Sequence, residues 1–484
     1  MLYTSANGEL LALRSLSKHY TQKGGYFTNM NDSNKQPKTL TEGNILSSLL
    51  KFAVPVLLAL FLQAMYGAVD LFVVGQFADT ADVSGVATGS MLMHTVTFVL
   101  TGFAMAITIM IGESIGKKQP KESSLAIGNG ICLFTILGIA LTFILVFGSD
   151  MFTTLMHAPK EAFDQTSIYI KICGAGSLFI IAYNVLGAVF RGIGDSKTPL
   201  LTVAIACVIN IIADLVFVAG FHMGAAGAAL ATVLAQTISV LVSLLIIRKK
   251  TLPFRLERKD IRFHKKVIRK ILLLGTPVAL QELLVSISFL IIQAVVNGIG
   301  VIESAGVGVA EKVCAFLMLV GSSYMQSISA FVAQNMGAGK SDRAKKALGY
   351  GIITSLLAGI VMCYVSFVHG DVLAAIFDND ALVVSAAHSY MKAFGIDCIF
   401  TPFLFCFIGY FNGCEKTLFV MLQGLIGAFC VRVPIVLFVS KLPETTLFHI
   451  GLGTPASTVV QIVLCLGMFI FMSKREKKTS LLPH

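Results

Sequence analysis

The sequence is short of charge. Of 484 residues only 13% are Asp, Glu, Lys or Arg, against about 25% in soluble domains. Hydrophobic residues make up 56%, and the mean hydropathy is +0.82. A water-soluble chain of this make-up would expose more apolar surface than stays in solution. A soluble enzyme and a disordered chain are thereby excluded. Paired cysteine spacing is missing too. The ten Cys include no CxxC pair, and most (Cys132, Cys207, Cys363, Cys465) fall within apolar runs. They read as small buried hydrophobes, which leaves no basis for a disulfide framework or a zinc site. Also absent is the polar–apolar alternation of a membrane barrel.

What is present is long, continuous apolar runs, as in Ile131–Phe147 and Ile353–Val368. Inside lipid a single segment satisfies its own backbone hydrogen bonds only as a helix. Twelve such stretches are predicted, at about 48–74, 84–112, 126–148, 166–190, 199–220, 224–247, 271–297, 304–333, 347–369, 384–411, 417–440 and 448–472. Each is long enough for a hydrocarbon core about 30 Å thick. The fold class is therefore an all-α integral membrane protein with 12 transmembrane helices.

Net charge is 37 − 26 = +11. Its placement argues against nucleic acid as a partner. The loops after even-numbered spans carry Lys117, Lys118 and Lys121, then Arg191 and Lys197, then Lys340, Arg343, Lys345 and Lys346. The alternate loops carry Asp79, Asp82, Asp150, Glu161, Asp371 and Asp378. By the positive-inside rule both termini are cytoplasmic, in a bacterial-type inner (plasma) membrane. Residues 1–44 form a polar tail with no signal-peptide core, and translation is expected to start at Met30. Segment 248–270 holds eleven basic residues and two acidic ones. It reads as a basic cytoplasmic linker, with an amphipathic interfacial helix as one form of it. Residues 473–484 read as a cytoplasmic tail.

The two halves repeat. Pro55 in Leu-Lys-Phe-Ala-Val-Pro recurs as Pro277 in Leu-Leu-Leu-Gly-Thr-Pro, Gly85-Val-Ala as Gly306-Val-Gly, and the Gly116 turn as the Gly337 turn. Arg191-Gly-Ile-Gly-Asp-Ser-Lys-Thr recurs as Asn412-Gly-Cys-Glu-Lys-Thr, and His222-Met-Gly as His449-Ile-Gly. The offset holds at 221–222 as far as Asn412, which argues duplication. Each copy has six spans, so both face the same way. Two six-helix bundles, 45–247 and 271–472, form a parallel internal repeat, an architecture of alternating-access transporters.

Two motif matches dissolve on inspection. Gly339-Lys340-Ser341 ends like a P-loop, but Gln334 stands where its first Gly belongs. Gly192-Ile-Gly-Asp195 matches an intramembrane protease signature, but lies in a turn between Arg191 and Lys197. With no nucleophile or metal motif either, the chain reads as no enzyme.

Ionisable residues within spans are costly and mark function. The first half has Asp70, and Asp214 with Asn210 one helical turn before it on the same face. No deep Lys or Arg accompanies them in that half. Two unpaired acids bind a proton or a cation, and Asp, Asn210 and Thr232 oxygens suit Na⁺ as a hard ion. Gln63, Tyr66 and Asn184 lie at a depth to orient a ligand. The second half loses the acid, Ile292 aligning with Asp70. It carries Glu282, Glu311, Lys312, Asp397 and Arg432, which allow structural ion pairs such as Asp397 with Lys312 or Arg432. Glu282 or Asp397 facing a cationic substrate is the other reading. The 35 Phe and 18 Met would give an adaptable apolar binding surface.

These motifs resemble the multidrug and toxic compound extrusion (MATE) family over residues 45–472. The carriers are Gln63…Tyr66…Asp70-Leu-Phe-Val-Val-Gly75, Phe190-Arg-Gly-Ile-Gly-Asp-Ser-Lys-Thr-Pro199, Asn210…Asp214 and Gly227-Ala-Ala-Leu-Ala-Thr232. The resemblance implies a secondary antiporter exporting amphipathic organic cations and drugs for H⁺ or Na⁺, with no cofactor and a monomer as the working unit. It assigns Asp70, Asn210, Asp214 and Thr232 to the coupling ion and Gln63, Tyr66 and Asn184 to the substrate cavity. Val285 stands where some members carry a second-bundle acid, and Glu282 and Asp397 are offset from that pattern. A flippase for a lipid-linked precursor, in the same superfamily, is the runner-up.

Overall fold

The computed structural model describes residues 39–250 and 252–480. The proposed start at Met30 lies outside them. The described residues are mostly helical, and side-chain caps mark the starts of a few of the helices. Asn44 accepts a hydrogen bond from the Ser47 N–H at 3.1 Å, and Asp380 from Leu382 N–H at 2.8 Å. Each satisfies a donor that the first helical turn leaves free.

In chain order the helices of the first repeat are α1 (Ile45–Phe77), α2 (Thr80–Gly116), α3 (Pro120–Leu155), α4 (Phe163–Ala175), α5 (Ser177–Gly192), α6 (Lys197–Asp214) and α7 (Gly224–Lys249). The second has α8 (Lys265–Asn297), α9 (Val301–Gly337), α10 (Ser341–Val368), the short α11 (Gly370–Ala374), α12 (Ala381–Gly413), α13 (Thr417–Leu425), α14 (Val433–Val439), α15 (Leu447–Gly451) and α16 (Gly453–Ser480). Among the described residues eleven helical stretches are long and apolar enough to cross a membrane, and a bent pair makes the twelfth. That pair is α4 and α5, which meet at Gly176 with a 57° bend. The straight span predicted at 166–190 is thus broken.

α6 continues through Leu215–Gly220 as a wider π-helical turn, and Ile426–Arg432 forms another between α13 and α14. Both lie in the fifth span of their repeat, at different depths. Such turns add a residue per helical turn and often mark functional sites.

The duplication is written in the backbone more faithfully than in the side chains. Left-handed φ angles occur at Lys118 and Gly339, at Gly194 and Glu415, and at His222 and Glu444. These pairs are 221, 221 and 222 positions apart. The turn is kept even where only one copy has glycine, at some steric cost to Lys118 and Glu415. The counterpart of His222 is therefore Glu444. His449 lies in α15, where it pairs with its N-cap Thr446.

α12 is central, with 72% of its most apolar stretch buried, whereas α3 and α10 bury only 22%. On α3, Phe147 is 79% exposed. Large apolar side chains turned outward on so hydropathic a helix face hydrocarbon. The repeats meet along α2–α8 and its counterpart α1–α9. Gly102 lets Ala279 approach, since a Cβ there would sit 2.4 Å from the Ala279 nitrogen. On the other side Phe52 and Val56 of α1 pack on Ala330 and Phe331 of α9.

The basic linker is a strap rather than an interfacial helix. It crosses the start of α3 with one 3₁₀ turn at Arg258–Asp260. Lys121 holds Asp260 at 2.6 Å, and the Ser124 hydroxyl donates to Arg255 O at 2.9 Å. The end of the polar N-terminal stretch is also tied down. Arg343 donates to the carbonyls of Gly43 (2.7 Å) and Glu42 (2.8 Å), and Leu40 N–H donates to Gln334 at 2.9 Å. The last helix runs on to Ser480, and Glu476 within it bridges Lys345 at 2.5 Å.

Candidate functional site

Asp70, Asn210, Asp214 and Thr232 come together from α1, α6 and α7. Asp70 is 5% exposed, and Asn210 and Asp214 are fully buried. The Thr232 hydroxyl donates to Asp70 Oδ2 at 3.1 Å, and Asn210 and Asp214 are the other polar neighbours of that carboxylate. Among the described residues Asp70 Oδ1, both Asp214 oxygens and both polar atoms of the Asn210 amide lack a hydrogen-bond partner. Buried polar groups are ordinarily satisfied, and so many orphaned polar atoms at one point call for a ligand. No Lys or Arg contacts either acid among the described residues. A proton or a cation is what balances such a set. Nowhere among the described residues do three acid, His or Cys side chains converge as they would on a transition metal. Two carboxylates, an amide and a hydroxyl are oxygen donors for a hard cation. The π-helical turn starts directly after Asp214, so the acid sits where the backbone changes gauge.

A cavity of about 120 Å³ lies against this cluster, lined by Gln63, Tyr66, Asp70, Asn184 and Thr232. All three residues expected to orient a ligand are there. Tyr66 sits with its hydroxyl against Gln63 and Gln236. Asn184 donates its amide to Ile180 O at 2.9 Å, which leaves its oxygen to the cavity. His94 of α2, Tyr169 of α4 and Gln236 of α7 also line it. Sequence reading missed them, because a single polar residue in an apolar span has no pattern to announce it.

A second cavity, about 50 Å³, shares Gln63 and Asn184 with the first and adds Tyr183, Arg191, Thr202 and, from α9 of the other repeat, Gln326. Here the expectation that this half has no deep base needs correction. Arg191 is in the last turn of α5, but its guanidinium folds back along the helix instead of entering the loop. A Cβ on Gly187 would lie 3.2 Å from its Nη1.

The second repeat arranges its charges differently. Glu282 and Asp397 line neither cavity. Asp397 is 3% exposed, accepts from Thr401 at 3.2 Å and neighbours Thr458. Thr458 lies in the last span of its repeat, as Thr232 does in the first, and faces an acid supplied by α12 instead of α8. Among the described residues the expected pairing of Asp397 with Lys312 or Arg432 is not made. Arg432 donates to the Ser288 hydroxyl at 3.1 Å and lies 4.3 Å above the Phe289 ring. A cation–π contact takes the place of the ion pair.

The MatE family model matches the chain twice, over residues 55–216 and 277–438. The probable multidrug resistance protein YpnP of Bacillus subtilis is 28% identical over 438 residues, covering 90% of this chain and 94% of its own. The multidrug export protein MepA of Staphylococcus saprophyticus is 23% identical, covering 80% of this chain and 86% of its own. A solved outward-facing multidrug resistance transporter of the MATE family overlays with a TM-score of 0.85 at 18% identity, over 91% of this chain and 100% of that one. A superfamily transporter from Pyrococcus furiosus overlays equally well, at 0.85 and 18%, over 90% of this chain and 99% of that one. The two matches of one family model fall on the two structural repeats, and the chain belongs to the MatE family of membrane transport proteins.

Proposed function

We propose that the protein is a secondary antiporter that exports amphipathic, cationic organic compounds in exchange for H⁺ or Na⁺. The observation that carries this is the Asp70–Asp214 pair, buried beside the cavity with Asn210 and Thr232 and, among the described residues, no basic partner. Relatives named for multidrug export support the cargo class. Asp70, Asn210, Asp214 and Thr232 hold the coupling ion, and Gln63, Tyr66 and Asn184 line the cargo's path. The Lys- and Arg-rich ends face the cytoplasm of a plasma membrane, and 45–247 and 271–472 are the two rocking lobes.

Coupling requires that the ion bind the two conformations unequally. Ion binding at Asp70 and Asp214 neutralises the cavity wall that attracts the cationic cargo. It also acts directly before the α6 π-helical turn, where a small backbone change re-aims the rest of the span. The cargo is thereby released on the outer face, and ion loss to the cytoplasm restores the acid wall.

The test is transport in proteoliposomes. A fluorescent organic cation such as rhodamine 123 is followed under a proton gradient alone and then a sodium gradient alone. One gradient drives flux, and Asp70→Asn and Asp214→Asn each abolish it while inserting normally. Normal driven flux in both variants would sink the mechanism. The flippase reading keeps one observation, the guanidinium of Arg191 on the cavity wall. Flux of a lipid-linked pyrophosphate with no response to either gradient would favour it.

A further inference from the structure

Arg191 has no role in the ion-coupling cluster, yet it is the cation that lines the second cavity. Among the described residues its Nε has no hydrogen-bond partner and no acid pairs with its guanidinium. The nearest acid in sequence, Asp195, is taken by Lys250 and Thr198. Beside it the Tyr183 hydroxyl, on a residue 9% exposed, has no partner among the described residues either. Arg191 and Tyr183 thus line one small cavity together, with the Thr202, Gln63 and Gln326 side chains around them.

Arg191 is not there as the counter-charge of Asp70. Gln63 and Asn184 belong to both cavities. Asp70 lies seven residues beyond Gln63 towards the acidic side, and Arg191 seven residues beyond Asn184 towards the basic side. At 1.5 Å rise per residue each step is roughly 10 Å, so the two backbone positions stand roughly 20 Å apart in depth, and with the guanidinium folded back to Gly187 the two charges are still roughly 15 Å apart. A bond between them is out of reach. A guanidinium with no acid partner, on the wall of a small, mainly apolar cavity, is a receptor for a carboxylate or phosphate oxygen pair, the geometry that Arg recognises best.

The inter-repeat contacts give this cavity a door. Gln326 closes it from α9, and one α9 turn pair further on the Gln334 amide donates to Gly192 O at 2.9 Å. That carbonyl belongs to the residue after Arg191. Separation of the repeats on the basic side breaks this clasp and uncovers the guanidinium to the compartment on that side.

We propose that Arg191, with Tyr183, is an anion subsite at the basic-side end of the cavity, which receives a carboxylate or phosphate of an amphiphilic cargo before the cationic part reaches Asp70. The subsite rests on the reading of the cavity as the cargo path, and extends it from organic cations to cargo carrying an anionic group.

The test uses rhodamine 110, which bears a free carboxylate, and rhodamine 123, its methyl ester, bound to the full-length protein in phosphatidylcholine nanodiscs. In Arg191→Gln the ratio of rhodamine 110 to rhodamine 123 affinity falls about tenfold. Arg191→Lys recovers part of the ratio. Gly187→Ala, which crowds Nη1, lowers it less than Arg191→Gln does. An unchanged ratio in Arg191→Gln would overturn the subsite. Nanodiscs containing phosphatidylglycerol separate the sources: loss of the wild-type preference there assigns the occupant to a lipid phosphate, and its retention to the cargo, the anion subsite standing in both cases. Failure of the antiport reading is read elsewhere, as rhodamine 123 flux that ignores Asp70→Asn.

Discussion

Gly116 and Gly337, the last residues of α2 and α9, pack against each other's helices reciprocally. A Cβ on Gly116 would lie 2.0 Å from Gln334 O, and one on Gly337 would lie 2.1 Å from Glu113 O. The glycines are 337 − 116 = 221 positions apart, and so are Gln334 and Glu113 (334 − 113 = 221). Gly112 and Ala333, again 221 apart, touch one turn earlier. Equivalent residues of the two copies therefore meet at one point, where the pseudo-twofold axis leaves the bundle on its basic side. Both obstructing atoms are backbone, which has no rotamer to escape into.

Gly337→Val tests whether this crossing is the seal. The added side chain cannot be accommodated without moving two helices apart. Spin labels at Glu122 and Asp342, both exposed near the basic ends of α3 and α10, are expected to show longer distances in the variant. An unaltered distance distribution would mean that the glycines serve packing alone.

Around that crossing Lys270 of α8 ties the repeats together ionically. Its ammonium is 2.6 Å from Glu113 of α2 and 2.6 Å from Glu415 in the turn after α12. Glu113 also has Lys117 at 2.7 Å, so losing Lys270 strands Glu415 more than Glu113. Partly exposed pairs of this kind contribute about 1 kcal/mol. Lys270→Gln is expected to lower the melting temperature by a few degrees at low salt and by less at high salt, where screening already weakens the pair. The double variant Lys270→Gln with Glu415→Gln should regain part of the loss, since it removes the stranded acid. Thermal melts of the three variants in a cycle measure this.

The GxGD aspartate has a structural task. Asp195 accepts from the backbone N–H groups of Lys197 and Thr198, each at 3.1 Å, and is paired with Lys250. Burial pushes its carboxyl up, but Lys250 and Thr198 outweigh burial and hold it below its ordinary value. A carboxyl depressed in the folded state contributes stability above its unfolded pKa, about 4, and loses it as pH falls through the lower folded value. Melts between pH 3 and 7 should show a fall at the acid end in the wild type and a smaller fall in Asp195→Asn. At neutral pH the variant is expected to be less stable by about 1–3 kcal/mol.

How much of this the sequence displays depends on how local each feature is. Twelve apolar stretches, the 221-residue offset and the buried acids Asp70 and Asp214 are visible because burial in lipid forces composition, and composition is read residue by residue. The break at Gly176 and the two π-helical turns are not, since helix–helix packing rather than residue type selects their positions. The inward turn of Arg191 is not legible for a related reason. A base at a span end usually reaches for water, and only Gly187, by offering no Cβ, turns it inward. Asp397 beside Thr458 was equally hidden, since the repeat alignment placed the missing acid on α8 and the fold supplies one from α12.

Thr232 offers a substitution whose sign names the coupling ion. Its hydroxyl donates to Asp70 Oδ2 at 3.1 Å, and its oxygen is available as a ligand to a hard cation. If sodium couples, Thr232→Val removes a ligand, and efflux half-saturates at a sodium concentration higher by roughly tenfold, about 1.4 kcal/mol. If the proton couples, the same change removes a hydrogen bond that favours the ionised carboxylate, and efflux saturates at a lower proton concentration. Thr232→Ser keeps the hydroxyl and is expected to stay close to wild type in either case. Initial efflux rates against pH and against sodium, measured on the three proteins in the same liposomes, separate the two. No displacement of either curve would remove Thr232 from the ion site.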